Sequence, residues 1–172
     1  IQNRKCRWWL RVGVRCAAVF MVLLVAACAG TGRYEAPYTL TLVHMNDTHS
    51  HLEAMDVTLK VRGEQTVASL GGFPRLKSTL DDMRKHYPHL LLLHAGDAVQ
   101  GTLYFTLFNG TLEYDFLNLL GVDAMTFGNH EFDRGPEAIP DWISRSNFPW
   151  LSGNIDFSGE PAIDPLTRPC LV

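Results

Sequence analysis

Val122-Asp123-Ala124-Met125-Thr126-Phe127-Gly128-Asn129-His130-Glu131-Phe132-Asp133 is the stretch whose reading decides the fold. Apolar residues lead in at Val122, Ala124, Met125 and Phe127, and Gly128 breaks the run. A short apolar run stopped by glycine reads as a buried strand ending in a turn. A polar cluster on such a turn is where a parallel sheet keeps its chemistry. Asn129 offers a neutral carbonyl oxygen and His130 an imidazole that titrates near neutrality. Asp133 is near enough in sequence to orient that ring. The same residues also fit a capped turn, with Asn and Asp serving backbone amides, so the neighbouring segments decide between the two.

Two similar units lie upstream. Tyr38-Thr39-Leu40-Thr41-Leu42-Val43-His44-Met45 is rich in β-branched and apolar residues and reads as a strand. It runs into the polar turn Asn46-Asp47-Thr48-His49-Ser50-His51. Residues 54–67 are weakly patterned and read as a loop or small hairpin. After Gly71-Gly72, the residues Phe73, Leu76, Leu80 and Met83 recur at helical spacing, with Pro74 in the first turn and an end near Tyr87-Pro88. His89-Leu90-Leu91-Leu92-Leu93-His94-Ala95 is apolar throughout its centre, the pattern of a strand covered on both faces. It ends in Gly96-Asp97-Ala98-Val99-Gln100-Gly101. Leu112, Phe116, Leu119 and Leu120 mark a second helix, stopped by Gly121. Beyond the opening stretch, Gly135-Pro136 starts a third helix with Ile139, Trp142 and Ile143 on one face. Phe148-Pro149-Trp150-Leu151-Ser152 reads as a fourth strand.

Strands and helices therefore alternate, which points to an α/β fold with a largely parallel sheet flanked by helices. Ligands in such sheets sit outside the carboxyl ends of the strands. All three polar turns fall at those ends, so the layering brings Asp47, His49, Asp97, Asn129 and His130 to one rim. Asp, Asn and His without an available Cys describe a site for hard or borderline divalent metals. Asp47 and His49 are separated by one residue and share a face if the backbone there is extended. Asp97, on the middle turn, is placed to bridge two ions. Two ions about 3.5–4 Å apart clamp the attacking and leaving oxygens of an in-line displacement, the chemistry of phosphoester hydrolysis. His130 is then free to donate a proton to the leaving oxygen, with Asp133 holding the ring.

The three turns, Asp47-Thr48-His49, Gly96-Asp97 with Gly101, and Gly128-Asn129-His130-Glu131, resemble in order and context the calcineurin-like metallophosphoesterase superfamily, and within it the bacterial 5′-nucleotidase family. The resemblance covers about residues 38–155. It implies a layered metallophosphoesterase fold and two divalent metal ions (Zn, Mn, Mg or Co). It implies that Asp47 and His49 hold the first ion, that Asp97 bridges and that Asn129 holds the second. It assigns His130, paired with Asp133, to the leaving group or the phosphate. The implied activity is hydrolysis of nucleoside 5′-monophosphates. The alternatives are UDP-sugar hydrolysis or 2′,3′-cyclic nucleotide phosphodiesterase activity, and from another class a non-catalytic surface lipoprotein that keeps the fold. The family's later histidine motifs and its substrate-binding domain do not occur before Val172. The chain starts at Ile1, so residues 38–172 read as an incomplete N-terminal portion of the domain, expected to be inactive and marginally folded alone. Of the other histidines, His44 is expected in the core, His51 near the rim without ligating, His86 and His89 in solvent, and His94 behind the ligands. Tyr104, Phe105 and Phe108 are expected to pack in the core or in a loop.

The first residues are a separate object. Arg4, Lys5, Arg7, Arg11 and Arg15 precede a charge-free apolar run from Cys16 to Ala27. That run has 12 residues, against roughly 20 for a membrane-spanning helix, and fits a secretory signal. Its end, Leu24-Val25-Ala26-Ala27-Cys28, resembles the bacterial lipoprotein signal, which implies lipidation of Cys28. An ordinary signal cut near Ala29 or Gly30, or an uncleaved anchor extended through Trp8 and Trp9, stays open. The expected organisation is a signal at 1–27, a lipidated tether at 28–37 and the catalytic domain from 38. The expected location is on the extracytoplasmic side of a bacterial membrane.

Removing residues 1–27 leaves 10 Lys+Arg against 18 Asp+Glu, a net charge of −8. An acidic body without a basic stripe argues against nucleic acid as a partner. Cys6 and Cys16 leave with the signal and Cys28 carries lipid, so Cys170 alone remains and no internal disulfide forms in this chain.

Overall fold

The structure is a computed structural model that describes residues 38–171. The signal, the lipidated Cys28 and the tether lie outside the described residues. The elements in chain order are β1 (Thr41–Met45), β2 (Ala54–Val61), β3 (Glu64–Gly71), α1 (Phe73–His86), β4 (Leu90–His94), α2 (Leu103–Phe108), α3 (Thr111–Leu120), β5 (Ala124–Thr126), α4 (Ile139–Arg145), β6 (Trp150–Leu151) and β7 (Thr167–Arg168). Strands β1, β4, β5, β6 and β7 form one parallel sheet in that spatial order. Consecutive sheet strands are neighbours, so every carboxyl end points the same way and the loops after β1, β4 and β5 meet along one edge.

The helices cover one face of this sheet. Val43 pairs with Leu92, His94 with Met125, and Met125 with Trp150, which places these side chains on a common face. Tyr114 of α3 packs on Trp150 at 5.2 Å between ring centroids and on Trp142 of α4 at 5.5 Å. Phe73 of α1 meets Phe116 of α3 at 5.4 Å. Leu80, Leu92, Tyr114, Leu117, Met125, Ile139, Trp142 and Trp150 are all fully buried there. Removing a buried aromatic of this kind costs about 3–5 kcal/mol.

Several expectations need correction. The opposite face at β1 and β4 is open: Leu42 is 61% exposed and its β4 partner Leu91 37% exposed. The apolar run of β4 is therefore not covered on both faces. His44 points to that open face and is exposed, not a core histidine. The second helix forms as expected over Thr111–Leu120, and a short helix not expected, α2, precedes it, ended by Asn109, which turns left-handed (φ 51°) and whose carbonyl accepts the Trp142 indole N–H at 2.8 Å. Leu119 of α3 is 65% exposed and leaves the core to Tyr114, Leu117 and Leu120. Residues 54–71 form a full antiparallel hairpin closed by Arg62 and Gly63, both with positive φ, the geometry of a two-residue hairpin turn. The fourth parallel strand is the pair Trp150–Leu151, and a fifth, β7, adds beyond it.

Candidate metal centre and its rim

The three polar turns come together. Loop 1 (residues 46–51) continues the β1–β4 pairing past the strand ends along loop 2 (residues 96–101). Asp47 N–H donates to the Gly96 carbonyl at 3.0 Å, His49 N–H to Asp97 at 3.1 Å and Ser50 N–H to Ala98 at 3.0 Å. Thr102 caps α2 by accepting the Tyr104 N–H, and its hydroxyl donates to the Ser50 carbonyl at 3.0 Å. Loop 2 and loop 3 (residues 128–133) touch backbone to backbone. A Cβ on Gly96 would collide with the Gly128 backbone, and one on Gly128 would collide with the Asp97 carboxylate and amide. Only glycine fits at either position. Asp47, His49, Ser50, Asp97 and Gln100 all have left-handed backbones, with φ between 44° and 84°. Such conformations cost free energy and cluster at functional sites.

One ligating atom each from His49, Asp97 and His130 lies within 4.8 Å of the other two. The two imidazoles stand edge to face at 5.1 Å. His49 Nδ1 is buried and has no hydrogen-bond partner. A buried, unpartnered nitrogen is costly unless something binds it, and the clustered donors of His49, Asp97 and His130 suit a divalent cation. Asp47 Oδ1 is 3.5 Å from His49 Nε2. The Asn46 amide donates to Asp47 and, with help from Asp97 and His49 and against slight desolvation, holds its carboxyl below the usual range. Asn129 sits exposed at the start of the 3₁₀ turn His130–Phe132. Of the expected ligands, His49 and Asp97 belong to this cluster, and its third member is His130, expected only as a proton carrier.

His130 Nδ1 is 2.7 Å from Asp133 Oδ2. That hydrogen bond, assisted by the charges of Asp133, Asp97 and Glu131, raises the His130 pKa against a small opposing effect of burial. His94 behaves differently. It is 2% exposed, and burial depresses its pKa to about 4 although Asp47 pulls it upward. Gly96 N–H donates to His94 Nδ1 at 3.1 Å, so the proton is on Nε2, which donates to the Thr48 hydroxyl at 3.3 Å. Thr48 in turn donates to the Ala98 carbonyl at 3.4 Å. His94 is a neutral brace behind loops 1 and 2.

His51 is exposed, donating from Nδ1 to the His49 carbonyl at 2.8 Å. It borders an open cavity of about 380 Å³ lined also by Thr48, Phe73, Arg75, Leu76 and Thr79. His86 and His89 are exposed as expected. Phe105 is core, Tyr104 donates to Glu53 at 2.6 Å, and Phe108 is 45% exposed.

Reading the sequence missed Glu131. It is fully buried, and its carboxylate accepts N–H bonds from Asp97 (2.9 Å), Ala98 (2.9 Å) and Gly128 (2.6 Å). The available signal was its position three residues after Gly128, the spacing at which a Glu reaches back to an amide at the start of a helical turn.

A family model described as calcineurin-like phosphoesterase matches residues 40–168. The chain belongs to the calcineurin-like phosphoesterases. The family works with a dinuclear metal centre, and the donors of this phosphoesterase rim suit one. The chain is similar to a probable 5′-nucleotidase of Treponema pallidum, 36% identical over 90% of this chain and 26% of the relative. It is similar to the NAD 5′-nucleotidase of Haemophilus influenzae, 41% identical over 67% of this chain and 19% of the relative. Among solved structures, a 5′-nucleotidase precursor from Thermus thermophilus superimposes with a TM-score of 0.69 at 42% identity, over 77% of this chain and 25% of that one. This phosphoesterase chain therefore spans about a quarter or less of these relatives.

Proposed function

We propose that the protein carrying this chain is a metal-dependent phosphoester hydrolase that releases phosphate from nucleoside 5′-monophosphates. The observation that carries the reading is the convergence of one ligating atom each from His49, Asp97 and His130, on a chain whose relatives are named 5′-nucleotidases. Asp47, His49, Asp97 and Asn129 are the residues that would hold the two divalent ions, with Asp97 shared between them. Two bound ions supply an activated water and a clamp on the phosphoryl oxygens. The chain's own part is placement. Loops 1 and 2 fix Asp47, His49 and Asp97 through their shared backbone bonds, and Asp97 Oδ1 accepts the His130 N–H at 2.8 Å. Asp133 orients His130 and favours its protonated form, so the ring gives its Nε2 proton to the leaving oxygen or binds the phosphate as a cation.

The same reading places the catalytic domain from residue 38 onward, on the extracytoplasmic side of a membrane. The basic segment from Arg4 to Arg15, the apolar run to Ala27 and the lipoprotein-like residues before Cys28 support export, a cleaved leader and a lipid anchor. The test is a phosphate-release assay on the full-length protein with AMP, NAD, UDP-glucose and 2′,3′-cyclic AMP, with and without Mn²⁺ and a chelator. Release from AMP that the chelator abolishes is the expected result. Release from none of the four, or release indifferent to the chelator, rejects the reading. NAD belongs in the panel because the Haemophilus influenzae relative is named for it.

A further inference from the structure

Glu131 is the carboxylate on the rim that takes no part in the chemistry above, yet it binds backbone amides of two of the three rim loops, loops 2 and 3. Oε2 accepts the Asp97 and Gly128 amides, and Oε1 accepts the Ala98 amide. Asp97 returns the contact, its Oδ1 accepting the His130 amide. The side chain of each loop thus holds the backbone of the other, across 33 or 34 residues of sequence. Behind Glu131, Tyr114 is wholly buried against Trp142 and Trp150, near enough to feel the Glu131 and Glu113 charges without reaching hydrogen-bond geometry. Glu131 is thus fully buried, with both carboxylate oxygens committed to backbone amides. A buried carboxylate carries a desolvation cost of several kcal/mol, which charge-assisted bonds from three amides offset. An apolar side chain in its place would leave those three amides unpaired, at about 1–3 kcal/mol each.

We propose that Glu131 is a positioning residue: its carboxylate sets the spacing between Asp97 and the Asn129–His130 pair, and through that spacing the affinity of the rim for divalent metal. This rests on the metal-centre reading above. The experiment compares the full-length protein with Glu131→Gln, Glu131→Asp and Tyr114→Phe. Two quantities are read: Mn²⁺ affinity by calorimetric titration, and amide hydrogen exchange at residues 97, 98 and 128 in the metal-free state. In Glu131→Gln an amide N–H faces a backbone N–H. Exchange at the three amides should rise at least tenfold, and Mn²⁺ affinity should fall about 10–100-fold. Glu131→Asp keeps the charge one methylene short and should recover part of that affinity. Tyr114→Phe removes a hydroxyl from the same core and should leave Mn²⁺ affinity within twofold.

Mn²⁺ affinity within twofold of the parent in Glu131→Gln overturns the proposal. If the Gln variant does not fold, the same result in Glu131→Asp overturns it. A Tyr114→Phe loss equal to the Glu131 loss also overturns it, because general loosening of the core would then suffice. The two readings fail separately. A parent protein whose Mn²⁺ affinity depends on Glu131 but which hydrolyses no nucleotide sinks only the proposed function. Hydrolysis and Mn²⁺ binding that both survive Glu131→Gln sink only the positioning role.

Discussion

Loop 1 and the β2–β3 hairpin are neighbours in the chain, residues 46–51 and 54–71, and they are held in unlike ways. The hairpin is regular: eight residue pairs in antiparallel register, no residue buried, and left-handed backbone only at its turn and its end. Loop 1 has no regular repeat. Three of its six residues are left-handed, and it is fixed by bonds to a loop some fifty residues away. The hairpin rests on local, exposed interactions that are individually small. Loop 1 and its partners rest on a few buried contacts with no substitute. Mutations should therefore act on an all-or-nothing scale at the rim and be nearly silent in the hairpin.

Gly128→Ala should have the largest effect, because the new methyl enters the space of the Asp97 carboxylate and amide. Loss of turnover by about 10⁴-fold or more, together with loss of bound metal, is the expected outcome; a variant near parental activity would break the comparison. His130→Ala comes next. Turnover should fall about 10²–10⁴-fold, as for loss of a positioned proton donor, and metal affinity much less. Equal losses would move His130 from proton transfer into the ligand set, where its distance to His49 and Asp97 also admits it.

His94 gives a third, smaller effect. Its folded pKa of about 4 lies below its ordinary 6.5, so the unfolded chain binds the extra proton between those values. Stability from neutral His94 is then full above about pH 6.5 and is lost as pH falls toward 4, by about 3 kcal/mol. Melting curves in chelator should show this slope, and His94→Asn should flatten it; an unchanged slope would reject His94 as its source. Val67→Thr closes the series. Val67 is 68% exposed on β3, and stability should change by no more than about 0.5 kcal/mol. A loss of 2 kcal/mol in a urea titration would mean that the hairpin carries a contact of its own.

The rim was legible because each turn follows an apolar strand and a glycine or Asn-Asp marks the break. Alternation of strands and helices then puts residues 46–51, 96–101 and 128–133 on one edge without any distance being known. Glu131 was legible only through its spacing from Gly128, because its other two partners are backbone amides 33 and 34 residues away, which have no sequence identity. Residues 54–71 hid their hairpin because no residue is buried, so burial imposes no alternation. His44 misled because a β-branched strand suggests two covered faces, whereas β1 lies at the edge of the described sheet with one face open. Strand β7 is two residues long and leaves no pattern to read.

The cross-loop bonds also bear on how the protein folds. Loop 1 is bonded to loop 2 beyond the β1–β4 pairing, and loop 2 to loop 3 beyond the β4–β5 pairing. Each closure spans some thirty to fifty residues, so its chain entropy is lost before its contacts form. The expected consequence is a rim that forms late in folding, which low φ-values at the rim loops would check. Metal that binds there selects the finished molecule and stabilises it by mass action, about 2.7 kcal/mol at a hundredfold excess over Kd. Bound ions would then add to the stability of the domain by an amount that grows with their affinity.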